Sequence, residues 1–311
     1  VSGAAGALSS AAGSSGAAAG GVGGLASTTG GTAATSGSAG SGTAGQSSAS
    51  GGASGASTAG GAASTTAPFK GVANSPCAAR TALNVSWYYN WEESETEACA
   101  TAGAGGEFVP MIWGHMGAEQ TASSIQSAVA GFVKKGYQYV LGFNEPDNAS
   151  QSNITSTTAI SLLPSFDNAA IKVGTPATQA NAAGQTWFKA YMASVTADTT
   201  LRDDFIALHW YGWNSNSCDA AASQLESYIK YAEGFPGNRP IWLTEWSCLN
   251  DSAPTAAGVL AFYEGALAVF AKHPRVQRYA WYPWTTNCEL NNSDGSLTDL
   301  GVAYAAAPAR K

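Results

Sequence analysis

Two glutamates end apolar runs in a chain with few charges. The run Val140-Leu141-Gly142-Phe143-Asn144-Glu145-Pro146-Asp147 stops in an amide, a carboxylate and a proline; Ile241-Trp242-Leu243-Thr244-Glu245-Trp246 repeats the arrangement 100 residues later. Proline steers the residue before it away from helix, so Glu145 is expected in extended backbone at the carboxyl end of a strand. Barrel enzymes carry their catalytic groups at that end. Two carboxyl groups facing one bond suit glycoside hydrolysis, where one protonates the departing oxygen and the other attacks the anomeric carbon. A gap of about 5–5.5 Å between them gives retention, and a wider one admits water and gives inversion. Their pKa values must be pushed apart so that one stays protonated near neutral pH. Phe143, Trp242 and Trp246 offer low-dielectric walls for that purpose.

The elements that would hold these groups read as eight short apolar runs: 70–74, 83–89, 108–113, 139–145, 172–178, 205–211, 241–246 and 278–284. Several are near-continuous in Val, Ile, Leu and aromatics, as parallel strands covered on both faces are. Between them lie helical patterns such as 121–135, 223–234 and 256–272, the last with Val259, Phe262, Tyr263, Leu267 and Phe270 at helical spacing. Alternation of this kind predicts a compact (β/α)8 TIM barrel over 69–311, with Glu145 ending strand four and Glu245 ending strand seven. No Gly-rich phosphate loop follows an early strand, which disfavours an open doubly wound sheet. Only a short helix fits between the first two strands.

The preceding segment, 1–68, is almost wholly Gly, Ala, Ser and Thr without a single charge. It cannot bury enough apolar area to offset chain entropy and is expected to be a disordered linker. A net charge of -7 argues against nucleic acid. No apolar run approaches the ~20 residues that cross a bilayer, and no polybasic patch is present for a membrane surface. The five cysteines show no metal-type spacing, and His115, His209 and His273 are too scarce for a zinc cluster, so no metal or cofactor is expected. Five cysteines leave at least one outside an intrachain pair; the pairs stay open. Sequons at Asn84, Asn148, Asn153, Asn250 and Asn291 fit a secreted, disulfide-permissive glycoprotein, although Asn84 falls in an expected strand where no glycan would fit. Glu92, Glu93, Glu95 and Glu97 read as a solvated helix start, and Asp147 as cleft rim or ordinary turn chemistry.

Ten Trp and twelve Tyr favour a carbohydrate ligand, because sugar rings stack their C–H faces on flat aromatics. Trp113, Trp210, Trp281 and Trp284 fall at expected strand ends, and Trp281 or Trp284 is expected to floor the subsite beside Glu245. The motifs G-F-N-E-P-D, L-H-W-Y, W-L-T-E-W and Y-A-W-Y-P-W, in this order at barrel spacing, resemble those of glycoside hydrolase family 128 in clan A. The resemblance covers 69–311 and none of the linker. It implies a secreted, often fungal, retaining endo-β-1,3-glucanase that needs no cofactor, works as a monomer and acts at or near the cell wall. By the same resemblance Glu145 is the acid/base, Glu245 the nucleophile, Asn144 a partner of the sugar 2-hydroxyl, and Tyr211 a hydrogen-bond donor to Glu245. His209 shares the inward parity of Tyr211 and is expected in the same network. A glucan-binding, lectin-like barrel without catalysis is the alternative, and loss of a catalytic glutamate would be its mark.

Overall fold

A computed structural model describes residues 67–310, apart from 102, 115–119, 213–217, 219–220, 250 and 252. The expected linker up to residue 66, His115, the Asn250 sequon and most of the loop after the sixth strand lie outside the described residues. Eight strands alternate with helices, except that β2 passes to β3 through bends and turns: β1 (Phe69–Ala73), α1 (Cys77–Ala82), β2 (Trp87–Tyr89), β3 (Glu107–Phe108), α2 (Ala122–Lys134), β4 (Tyr139–Val140), α3 (Ser156–Leu162), β5 (Lys172–Val173), α4 (Ala182–Ala197), β6 (Ile206–Trp210), α5 (Ala221–Glu233), β7 (Ile241–Trp246), α6 (Ala256–Lys272), β8 (Val276–Trp281) and α7 (Asp299–Ala306). Six strands form one parallel sheet in the order β3-β2-β1-β8-β7-β6, and β4 pairs with β5. Parallel bridges Met111↔Leu141 and Gly174↔Phe205 join the two sheets on both sides. The ladder therefore closes into the expected (β/α)8 barrel.

Strands β3 to β5 are much shorter than the apolar runs that announced them. Pro110, Pro146 and Pro176 have no N–H to give a ladder, and an atom added at Gly142 Cα would lie 2.8 Å from the Gly174 carbonyl oxygen. Pairing there is reduced to single bridges and close backbone approach. By contrast β7 and α6 have the bounds their sequences announce. Thr or Asn side chains cap α2, α3, α4, α6 and α7, as Thr255 does by accepting from Gly258 N.

Side-chain alternation sorts the core into two layers. Inside the barrel lie Ala73, Trp87, Tyr89, Met111, Leu141, Phe205, Trp242 and Ala280. Tyr88, Leu208, Trp210, Leu243, Trp246, Tyr279 and Trp281 face outward against helices, Trp246 and Trp281 both meeting Tyr263 of α6. Gly71 is required by the inner layer, since a Cβ there would stand 2.4 Å from the Trp87 indole. Arg278 closes the amino end of the barrel, its guanidinium 4.2 Å from the Trp242 ring centroid, 4.4 Å from that of Tyr139 and 2.8 Å from Glu107. Only the carboxyl end is left for a substrate.

Two local expectations change, and the cysteine pairs left open are resolved. Residues 90–99 are bends rather than a helix start. They wrap buried Arg80, which stacks 3.6 Å over Tyr88 and donates to the carbonyls of Ser75 and Glu97. Asn84 lies in an exposed turn after α1, with φ 54, rather than in a strand. The cysteines pair as Cys77–Cys99 and Cys218–Cys248, leaving Cys288 buried and unpaired. The second bridge ties the segment after β6 to the segment after β7 at the open end, where a loop closure of this size stabilises by about 3–4 kcal/mol in the chain-entropy account.

Candidate active site

Glu145 and Glu245 meet at the open end across His209. Pairing of β6 with β7 slips between Leu208 and His209, so that His209 stands opposite Glu245 instead of Thr244. Irregularities of this kind re-aim side chains beside active sites. His209 is fully buried, its Nδ1 3.2 Å from Glu145 Oε1 and 3.3 Å from Glu245 Oε2. Tyr211 Oη donates to Glu245 Oε2, and Trp91 Nε1 donates to Glu245 Oε1 at 2.7 Å. Asn148 Nδ2 donates to Glu145 Oε2 at 3.2 Å.

Glu145 is not extended. Its φ is 40, in the left-handed region that a non-glycine residue rarely occupies. Two backbone bonds override the local preference imposed by Pro146: Glu145 N–H to the Ala177 carbonyl at 2.8 Å, and Asn148 N–H to the Glu145 carbonyl at 3.0 Å. Trp91, φ 62, is strained in the same way. Such strain costs about 1–3 kcal/mol per residue and gathers where the surroundings must fix a group for function.

The shift at Glu145 also runs opposite to the one expected of a general acid. Burial pushes the Glu145 carboxyl up, but hydrogen bonds from His209, Asn148 and Gln179 and the His209 charge more than offset it, leaving it below its ordinary 4.5. Burial pushes His209 down, and the charges of Glu245 and Glu145 outweigh it, holding the imidazole above its ordinary 6.5. The two shifts run in opposite directions, favouring the ionised form of Glu145 and the charged form of His209. Stability from ionised Glu145 is present above pH 4.5 and is lost as pH falls through its lowered value. Stability from charged His209 is full below pH 6.5 and is lost as pH rises through its raised value. Thermal melts should accordingly peak between pH 4.5 and 6.5. The alkaline decline should shrink in His209→Gln; a melting temperature still rising toward about pH 8 would contradict this.

Other expected residues divide. Asn144 is buried beside the pair, its Nδ2 donating to Gln151 Oε1 at 3.1 Å. Trp113 is half-buried at the edge of the inner layer. Trp284 is 46% exposed and builds an aromatic wall with Trp91 and Tyr282, ring centroids 5.5 and 5.0 Å away. Trp281 departs from expectation. Ala280 takes the inward position, so Trp281 is fully buried on the helix side, 4.7 Å from the Trp246 ring with Nε1 donating to the Cys288 carbonyl. It has no face for a sugar, and neither has Trp210. Phe143 and Trp246 also face outward, and Trp242 lies in the inner layer. Asp147 Oδ1 accepts from Gln179 N–H at 3.1 Å, tying the β4 and β5 loops together.

Sequence reading missed Trp91, Asn148 and Tyr282. Alternation through Trp87, Tyr89 and Trp91 was the available signal for the first, obscured by the acid-rich stretch that follows. Asn148 reads as a sequon in the sequence; with its amide on Glu145, a glycan there would occupy the site.

Glu145, His209 and Glu245 each offer a donor atom, all within 4.8 Å of one another, a set that a metal ion would also fit. Donors from Trp91, Tyr211 and Asn148 already occupy the carboxylate oxygens, an arrangement suited to carboxylates that hold protons and form covalent bonds.

The family model described as glycosyl hydrolase catalytic core matches residues 63–304. Alkali-sensitive linkage protein 1 of Schizosaccharomyces pombe is 31% identical over 238 residues, covering 71% of this chain and 40% of that protein. The chain thus spans well under half the length of this curated relative. A family 128 subgroup I endo-β-1,3-glucanase from Amycolatopsis mediterranei, solved with laminaritriose, is 33% identical with a TM-score of 0.64, covering 76% of this chain and 98% of that one. A subgroup III curdlan-specific exo-β-1,3-glucanase from Blastomyces gilchristii, solved with glucose, is 26% identical with a TM-score of 0.60, covering 77% and 98%.

Proposed function

The chain belongs to glycoside hydrolase family 128, and from that premise we propose that it hydrolyses β-1,3-glucan with retention, cutting within chains. Glu145 is the acid/base and Glu245 the nucleophile. The observation that carries this reading is the carboxylate pair, with oxygens of Glu145 and Glu245 within 4.8 Å of each other across His209. Retaining enzymes hold their carboxyl groups about 5–5.5 Å apart, too close for an intervening water.

In the first step Glu245 attacks the anomeric carbon while Glu145 protonates the departing oxygen. Glu145 must be protonated to do so, and His209 Nδ1, 3.2 Å from its Oε1, supplies the proton as substrate displaces solvent. In the second step Glu145 takes a proton from water, which releases the sugar from Glu245. Asn144 meets the 2-hydroxyl of the reacting sugar, and Trp284 stacks on a ring beside Glu245, with Trp113 across the mouth. Endo action follows from likeness to the subgroup I enzyme rather than the more distant exo enzyme. Two disulfides suit an oxidising extracellular setting; a secreted monomer at or near a glucan wall is part of the proposal. Among the described residues no helix is long and apolar enough to cross a membrane.

Product analysis on a linear β-1,3-glucan tests the reading. Short oligosaccharides of several lengths should appear with the native protein, at the same rate with a chelator present, and not with Glu245→Gln. Glucose alone would indicate exo action. Loss of activity to the chelator would turn the Glu145–His209–Glu245 cluster into a metal site. Tight glucan binding without products would favour the non-catalytic alternative, against which both glutamates stand in place.

A further inference from the structure

We propose that Trp91 is a positioning residue for Glu245, its indole N–H receiving charge as the carboxylate departs in the second step; the inference rests on the retaining reading. A nucleophilic carboxylate has two oxygens, and here both are held. Oε2 takes the Tyr211 hydroxyl and lies 3.3 Å from His209 Nδ1, while Oε1 takes Trp91 Nε1 at 2.7 Å. Trp91 reaches Oε1 from the segment after β2, whereas the partners of Oε2 come from β6 and the residue that follows it.

The position of the indole is over-determined. Trp91 stands two residues beyond β2 with φ 62, a conformation that a bulky side chain adopts only when its surroundings compel it. On one side its ring meets Tyr89 edge-on at 5.4 Å, and the Tyr89 hydroxyl donates at 2.7 Å to the carbonyl of Thr244, the residue before Glu245. On the other side it meets Trp284 at 5.5 Å and Tyr282 at 6.2 Å. A sugar stacked on Trp284 therefore presses on the indole that fixes the nucleophile.

Charge decides which step feels the bond. In the first step the Glu245 carboxylate loses charge as its oxygen bonds to the anomeric carbon and the glycosidic C–O bond breaks, with the proton from Glu145 going to the leaving oxygen. In the second step water attacks, its proton goes to Glu145, the ester C–O bond breaks and the full charge returns to Glu245. A donor to that carboxylate is stronger in the second transition state than in the ester before it, so it accelerates deglycosylation. Removing it should slow the second step and leave the first untouched or faster.

The test compares the native chain with Trp91→Phe on linear β-1,3-glucan and on a nitrophenyl β-glycoside of a β-1,3-linked disaccharide. On the nitrophenyl substrate kcat should fall roughly tenfold to a hundredfold, as expected for a lost bond to a charged group. KM should fall in parallel, kcat/KM should change little, and a burst of nitrophenol should match the enzyme concentration. A residue that merely supports the loop would lower kcat/KM and give no burst. If the phenylalanine variant fails to fold, 3-benzothienylalanine at position 91 keeps the bicyclic shape and removes only the N–H, and the same burst is required of it. An unchanged kcat, or a lower kcat/KM without a burst, in a variant of an active native enzyme overturns this inference alone. A native enzyme inactive on both substrates overturns the retaining reading, and this inference with it.

Discussion

Glu245→Gln lowers turnover of linear β-1,3-glucan by on the order of 10⁴-fold or more, because an amide cannot form the covalent glycosyl intermediate. Substrate binding should survive. Gln keeps the volume of Glu, and calorimetry with a β-1,3-linked oligosaccharide should give an affinity within a few-fold of native. The variant is nevertheless not silent. An amide offers one oxygen where the carboxylate offers two, so either Trp91 Nε1 or Tyr211 Oη loses its acceptor. A donor left unpaired in this buried site costs about 1–3 kcal/mol, and a modest fall in melting temperature accompanies the loss of rate. Turnover within tenfold of native would remove Glu245 from the nucleophile's role.

Glu145→Gln separates the two steps by leaving group. On glucan, whose departing hydroxyl needs a proton, the loss should be about 10²–10⁴-fold, the usual contribution of general acid catalysis. On a nitrophenyl β-glycoside the first step needs no acid. There the glycosyl-enzyme should form quickly and then persist, because the base that activates water is missing. Steady-state release should be slow after a burst, and azide, a nucleophile that needs no base, should speed it. Equal losses on both substrates and no response to azide would contradict the acid/base assignment. His209 adds a check within the same experiment. Glu145→Gln removes one of the three carboxylates, with Glu245 and Asp147, that raise the imidazole, so the raised His209 value should move back toward its ordinary one.

The barrel was legible because its signals are redundant. Apolar runs at regular intervals, Glu145 and Glu245 at the ends of the fourth and seventh, and helical spacing from Val259 to Phe270 all point to one architecture. Facing was legible only where alternation met a polar group. Tyr211 reads as inward through the family resemblance, and His209 because it shares that parity two residues earlier. Tyr279-Ala280-Trp281 offers no such clue, since a parallel strand buried on both faces tolerates a large aromatic on either. The inner layer took the alanine, and Trp281 went to the helices.

Backbone rules failed where long-range hydrogen bonds outweigh them. Pro146 predicts extended backbone for Glu145, but the Ala177 carbonyl, brought close only when β4 meets β5, draws the chain into the left-handed region. The acid cluster from Glu92 to Glu97 carried a helix-start pattern, and buried Arg80 with the Cys77–Cys99 bridge organised it as a loop instead. That loop delivers Trp91 to Glu245 from 154 residues away in sequence. No local pattern encodes such a contact. The same holds for the shift at Glu145: a general acid is expected to be raised, and only the placement of His209 between two carboxylates reveals the opposite direction.

Trapping the covalent intermediate tests the central claim most directly. A β-1,3-linked disaccharide bearing 2-fluoro substitution and a good leaving group at the reacting sugar should glycosylate the nucleophile, expelling that leaving group, and the ester should turn over slowly, because fluorine destabilises both oxocarbenium-like transition states. The account predicts that the intact mass rises by one disaccharide unit, and that fragmentation places the added mass on Glu245 and nowhere else. Rapid loss of activity with no added mass, or a label on Glu145 or any other residue, would contradict the retaining mechanism and the roles given to the two glutamates.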